Sequence, residues 1–217
     1  MIEIKKGSEP VEWMEIKKTP GITYDTADKT KLRKSLYNEQ GGLCAYCMRK
    51  IHIVEDKQST TRIEHIKPRA ISIAEGCIEE TLQYNNMVLC CDGEIDGDGN
   101  YHCDRSKEDN KISFNLFNNI VFDTISYSSK DGQIMSSNAV YNKEFNGILN
   151  LNHPRLMKNR LAVIKALITE LGKKQWKKKE LKDKLDCYAN KTSDGTFREY
   201  CGVTIWFLKK MLRKYQK

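Results

Sequence analysis

Apolar side chains recur at helical spacing in four stretches of the chain and alternate with polar ones in two shorter stretches. The strongest helical pattern follows Leu151-Asn152-His153-Pro154, where Leu156, Leu161, Ile164, Leu167, Ile168 and Leu171 fall on one face and Asn152 is the expected cap. Helices are also expected over 180–189 and 196–213. Nearer the start, Ala27, Leu32, Leu36 and Tyr37 predict a helix over 27–39, capped by Asp25 or Thr26 and ended by Gly41-Gly42. The first 25 residues have no clear period; with Pro10, Pro20 and an exposed Trp13 they read as an extended arm packed on the core. Thr60 to Arg69 alternates around Ile63 and stops at Pro68, which predicts a short strand running into a turn. Residues 74–82 form a helical or irregular link. Ile120 to Ser126 and Gln133-Ile134-Met135, on either side of a Ser128–Gly132 turn, predict a hairpin.

With 217 residues and 39% hydrophobic composition, the chain can bury one good core, or a small domain plus a helical extension. No apolar run is as long as a membrane span, and Met1-Ile2-Glu3-Ile4-Lys5 lacks the basic-then-apolar order of a secretory signal, so a soluble, cytoplasmic protein is expected. In that compartment eight cysteines read as metal ligands and buried thiols rather than as a disulfide framework. The total charge of +8 is unevenly placed: 155–217 holds 18 Lys/Arg against 6 Asp/Glu (+12), whereas 1–154 holds 19 against 23 (−4). A polyanion would be drawn to the basic part.

Cys44-Ala45-Tyr46-Cys47 has the C-x2-C form of a zinc knuckle, whose turn lets two thiolates converge on one ion. A redox pair is the competing reading, but it prefers the first turn of a helix in a βαβ setting, and that pattern is not present. Two further cysteines downstream strengthen the metal reading. The acidic loop from Asp92 to Asn100 invites a calcium reading that fails: counting from Asp92, position twelve is Cys103, and from Asp96 it is Lys107, where a bidentate glutamate is needed. A flexible, solvated insertion is expected there instead. His65, taken alone, reads as a hydrogen-bonded structural histidine; its neighbours change that.

C-x2-C, then Arg62-Ile-Glu-His-Ile-Lys-Pro68, then Tyr84-x-Asn86 leading to Cys91, then Cys103-Asp-x-x-Lys107, resembles the HNH (ββα-metal) endonucleases in their zinc-stapled branch. The layout as a whole resembles the PtuB family of retron- and Septu-associated HNH effectors, with the motifs confined to residues 41–110 or so. The resemblance implies an α+β, mostly helical chain: an N-terminal arm and helix (1–40), a zinc-stapled ββα-metal nuclease core (41–112), and a hairpin with a basic helical C-terminal region (113–217). It implies Cys44, Cys47, Cys91 and Cys103 as ligands of a structural Zn2+, Glu64 and Asp104 as ligands of a catalytic ion, His65 as general base, and Asn86 as the central catalytic asparagine. Asn85 with Cys90 is the other register. Two departures stand out. Asp104 replaces the usual His or Asn, which should favour Mg2+ or Mn2+. The gap from Cys91 to Cys103 is also longer than usual, so that His102 is an alternative to Cys103.

Lys67, Arg69 and Lys107 are then expected to hold the substrate backbone, and Lys173, Lys174, Lys177 and Lys178 to form a phosphate-tracking face, although surface solvation accounts for such lysines equally well. Cys77, Cys187 and Cys201 are expected as buried thiols. The partners implied are DNA, or RNA on the same scaffold in a transfer-RNA-directed ribonuclease, together with a PtuA-like ABC ATPase and, in some systems, a retron reverse transcriptase and its RNA-DNA product. A non-catalytic zinc module that binds nucleic acid or protein is the reading from another class.

Overall fold

The computed structural model describes residues 1–53, 61–94, 99–173 and 176–215. Its first sheet pairs β1 (Thr61–His65) with β2 (Met87–Cys91), antiparallel, with Glu64 opposite Val88 and His65 opposite Met87. Pro68 has no N–H with which to extend a ladder, and the chain turns there into the short helix α3 (Arg69–Ala74). Two single 3-10 turns, Ile78–Leu82 and Tyr84–Asn86, bring it back to β2. All five residues of β2 are buried, so this strand lies inside the molecule and its register is fixed from both faces. A one-turn helix, α4 (Asp104–Lys107), follows the next loop, giving a β–β–α order.

The N-terminal stretch is not an extended arm. It contains α1 (Val11–Lys17), and Trp13 is fully buried, its indole N–H donating to the Leu82 carbonyl at 3.0 Å. Two turns are too short to display a period, which is why the sequence pattern misses this helix. The next helix, α2 (Thr30–Gln40), starts later than expected because the Asp28 carboxylate accepts the Thr30 N–H at 2.9 Å and begins the first turn there; Asp25 and Thr26 do not cap it. Its end is as expected: Gly41 is left-handed at φ 56°, and a Cβ on Gly42 would lie 2.9 Å from the Tyr37 hydroxyl.

Ile120 does not enter a strand. Asn118 Oδ1 accepts its N–H, starting α5 (Ile120–Asp123), and the hairpin is the shorter pair β3 (Ile125–Tyr127) and β4 (Ile134–Ser136). Helix α6 (Ala139–Gly147) follows, capped by Asn138. The long helix α7 (Pro154–Gly172) buries Leu156, Ile164, Leu167 and Leu171, whereas Ile168 is exposed. Its cap is the His153 imidazole, not Asn152, whose side chain instead exchanges hydrogen bonds with both backbone groups of Ile134 at 2.8 and 3.0 Å. Helices α8 (Lys178–Ala189) and α9 (Cys201–Arg213) pack against each other; the latter starts late because the Phe197 and Tyr200 N–H groups donate to the Gly41 and Met48 carbonyls, at 2.8 and 3.1 Å, and Tyr200 is left-handed at φ 53°.

One buried cluster runs from Met1 to Leu208 and takes in the N-terminal segment, the cysteines and the C-terminal helices. Among the described residues, no helix is long and apolar enough to cross a membrane.

Candidate metal centre and adjoining groove

The first cysteine pair is set by a tight turn. Cys44 N–H donates to the Arg49 carbonyl at 2.9 Å, Met48 N–H donates back to the Cys44 carbonyl at 3.1 Å, and Met48 sits in the left-handed region at φ 64°. The second pair is Cys91, at the end of β2, and Cys103, immediately before α4. The long gap between them is drawn closed at Gly93, whose carbonyl accepts the His102 N–H at 2.8 Å. Glycine is required at that point: its φ is 75°, and a Cβ would meet the His102 carbonyl at 2.5 Å.

Cys44, Cys47, Cys91 and Cys103 are all buried, with their sulfurs within 4.8 Å of one another. Cys44 Sγ lies 3.9 Å from Cys103 Sγ, and Cys47 Sγ lies 3.8 Å from Cys91 Sγ. A disulfide needs about 2.05 Å. A tetrahedron built on metal–sulfur bonds of about 2.3 Å has edges of about 3.8 Å, so the four can hold a metal ion such as zinc. Burial and then the neighbouring sulfurs push the Cys103 thiol well up; Cys44, although burial opposes it, is pulled well below the ordinary thiol range by Cys103 and the other sulfurs around it. Cys90 is buried outside the set, and His102 borders it rather than replacing Cys103, with Nδ1 3.1 Å from the Cys103 sulfur. Of the thiols expected to be buried, Cys201 is, but Cys77 is half-buried and Cys187 exposed, since each sits on a solvent-facing turn of its segment.

Beside this cluster is a groove of about 870 Å³ lined by Glu64, His65 and Asp104, among others. Glu64 is delivered by β1 and Asp104 by the first position of α4 next to Cys103, so that both carboxyl groups line the same groove. Burial, then the Asp104 carboxylate, holds Glu64 well above the usual carboxylate range, while Lys107 opposes the shift. Glu64 Oε1 accepts from Lys107 Nζ at 2.8 Å and from the Tyr46 hydroxyl at 3.1 Å. Arg62 Nε donates to Asp104 Oδ2.

His65, at the end of β1, is 5% exposed, with the Tyr24 ring edge-on at 4.6 Å. Its Nε2 lies 2.9 Å from the Thr81 carbonyl, which only accepts, so Nε2 carries the proton and Nδ1 is the ring's base. Burial lowers its pKa to about 4, so the imidazole is neutral at pH 7.

No protein-family model matches the chain, and no curated protein does. The reading of the groove therefore rests on its own residues. Asn86 does not touch the imidazole. Its side chain clamps the backbone of Lys67, Oδ1 accepting the N–H at 2.8 Å and Nδ2 donating to the carbonyl at 3.0 Å, which fixes the exit of β1. It is a positioning residue rather than a catalytic one. Asn86→Ala should cost about 1–3 kcal/mol of stability, read from the urea midpoint, and a midpoint equal to that of the unaltered chain would contradict this role.

Lys107 cannot reach a substrate: it is fully buried, its ammonium spent on Glu64 and on the His65 carbonyl at 3.2 Å. Lys67 is also committed, to Glu80 and to Glu75 at 2.7 Å, because α3 and the following turn fold both acids back over it. Arg69 does line the groove, stacked on Tyr24 and bonded to Asp25 at 2.8 Å. Lys173, Lys177 and Lys178 are exposed and none lines the groove; Lys174 lies outside the described residues, as do Asp96 and the rest of 95–98 in the acidic loop.

The structure adds residues that the sequence reading missed. Tyr46 was visible inside the C-x2-C motif and Arg62 at the head of the Arg62–Pro68 motif, but their bonds to Glu64 and Asp104 were not; Tyr24 and Thr81 carried no signal at all. The groove lining holds five carboxylates against three arginines, so its balance is opposite to that of the whole chain.

Proposed function

We propose that the chain is a metal-dependent endonuclease of the HNH type that hydrolyses phosphodiester bonds of DNA, with a structural zinc ion on Cys44, Cys47, Cys91 and Cys103 and a catalytic Mg2+ or Mn2+ on Glu64 and Asp104. The observation that carries this reading is the meeting of two carboxyl groups and a neutral imidazole in one groove beside four close cysteines. A module that only binds nucleic acid has no need to bury a glutamate against an aspartate.

A phosphodiester resists attack because its negative charge repels nucleophiles and its leaving alkoxide is poor. A divalent cation on the carboxylates supplies the neutralising charge for the phosphate and the leaving oxygen. The chain does the rest. Glu64 is held by Tyr46 and Lys107, and Asp104 by Arg62, so neither carboxylate has to be ordered when substrate arrives. His65 Nδ1 takes the proton of the attacking water, and the Thr81 carbonyl keeps the ring in the tautomer that permits this. Arg69 and Arg105 border the groove, each paired with an acid, Asp25 and Glu94, that a substrate phosphate would displace. The acidic lining supports the cation requirement, since a polyanion approaching five carboxylates needs that charge offset first.

On the resemblance, the same proposal extends to the nuclease effector of a cytoplasmic antiphage complex with a PtuA-like ABC ATPase and, in some systems, a retron reverse transcriptase with its RNA-DNA product. The exposed C-terminal lysines give a polyanion a second place to dock, outside the groove. The test is digestion of DNA and RNA panels with and without Mg2+ or Mn2+, by the unaltered chain and by Glu64→Gln and Asp104→Asn. Cation-dependent DNA cleavage lost in both variants is expected. Cleavage that needs no cation, or survives both substitutions, would overturn the proposal, and cleavage of transfer RNA alone would move it to a ribonuclease.

A further inference from the structure

The hydrogen bonds around Glu64 reach past the chemistry to the choice of ion, and this step rests on the reading that Glu64 and Asp104 hold a divalent cation. A carboxylate oxygen has two lone-pair positions. On Glu64 Oε1 both are taken, one by Lys107 Nζ at 2.8 Å and one by the Tyr46 hydroxyl at 3.1 Å. Neither donor is free to withdraw. Tyr46 is buried and lies between Cys44 and Cys47, so its backbone is part of the knuckle. Lys107 is fully buried on α4, one turn from Cys103, and its ammonium also donates to the His65 carbonyl at 3.2 Å. Asp104 Oδ2 accepts one such bond, from Arg62.

We infer that Tyr46 and Lys107 are specificity-determining positioning residues: by closing Glu64 Oε1 they leave a single oxygen of that carboxylate for a cation, and so bias the site against Ca2+. Calcium collects six to eight oxygens and gains from carboxylates that bind through both; magnesium, and manganese in the same oxygen set, accept one or two single carboxylate oxygens and keep their own waters. A site in which Glu64 offers a single oxygen beside Asp104 suits the second kind of ion. To use Oε1 as well, calcium would have to break two hydrogen bonds from donors anchored in the cysteine cage.

Calorimetric titration of the zinc-loaded chain with Mn2+ and with Ca2+, separately, tests this without relying on activity. The unaltered chain should bind Mn2+ at one site that Glu64→Gln removes, and bind Ca2+ more weakly. Tyr46→Phe keeps the buried ring and removes one donor, so the ratio of Ca2+ to Mn2+ affinity should rise about tenfold, the equivalent of one charge-assisted hydrogen bond no longer broken. Lys107→Met opens the other position and should move the ratio the same way, while tightening both ions because a positive charge is gone. An unchanged ratio in both variants, with Mn2+ binding intact, overturns this inference and leaves the metal site standing. Absence of any Mn2+ binding that depends on Glu64 overturns the metal reading itself.

Discussion

His65→Ala should slow strand cleavage about 10²–10⁴-fold, the usual worth of a positioned general base, while the four cysteines keep their ion. The reason is specific to this imidazole. Its Nε2–H is committed to the Thr81 carbonyl and its pKa is lowered to about 4, so Nδ1 is unprotonated at neutral pH and ready to accept. A depressed pKa places the base form above about pH 4 and loses it as pH falls through that value, so the rate should show no acid limb near 6.5 from this residue. Because alanine also removes the ring packed against Tyr24, His65→Gln is the needed companion: it fills much of the space, keeps a donor for Thr81 and carries no base. Plasmid nicking and bound zinc measured together decide the matter. Both variants should hold zinc and fail to nick; nicking at the rate of the unaltered chain by either would remove the proposed role.

Cys47→Ser should have the larger effect on the fold. In small zinc modules the bound ion contributes about 10–16 kcal/mol of coupled folding energy, and here the cluster ties together segments far apart in sequence. Cys44 and Cys47 belong to the turn after α2, Cys91 to the end of β2, and Cys103 to the start of α4. Three groups that set the carboxylates of the groove hang from the same frame: Asp104 itself, directly after the last cysteine, and the two partners of Glu64, Tyr46 between the first two cysteines and Lys107 one turn beyond Asp104. Losing one thiolate therefore loosens Glu64 and Asp104 together. Thermal unfolding with metal analysis should give a chain without stoichiometric zinc and without the cooperative transition of the parent. A variant retaining one zinc per chain and the parental Tm would show that Cys47 is not a ligand.

Much of this was legible because some sequence signals are local. The spacing of Leu156, Ile164, Leu167 and Leu171 sets one face of α7, Pro68 stops β1, Gly41 ends α2, and C-x2-C fixes half of the four-cysteine cluster by chain geometry alone. Glu64 and His65 also stood out, as neighbours in a motif. What stayed hidden are bonds between one side chain and a distant backbone. Trp13 is buried because Leu82, 69 residues away, accepts its N–H. Lys107 is interior because the carbonyl of His65, 42 residues away, and the Glu64 carboxylate offset the cost of its charge. Asn152 and Asn86 follow the same rule, each pairing with both backbone groups of a single distant residue rather than capping a helix or touching a reactant. Residue type and spacing do not encode such partners; the folded topology supplies them.

Two ions in two chemically different pockets, sharing one frame, are what the whole account depends on. Anomalous diffraction at the zinc and manganese absorption edges, from crystals grown with Mn2+, locates both directly. The expected maps place zinc within the sulfurs of Cys44, Cys47, Cys91 and Cys103 and manganese against the carboxylates of Glu64 and Asp104. A manganese map with nothing at those carboxylates, or four sulfurs surrounding no metal, would contradict it.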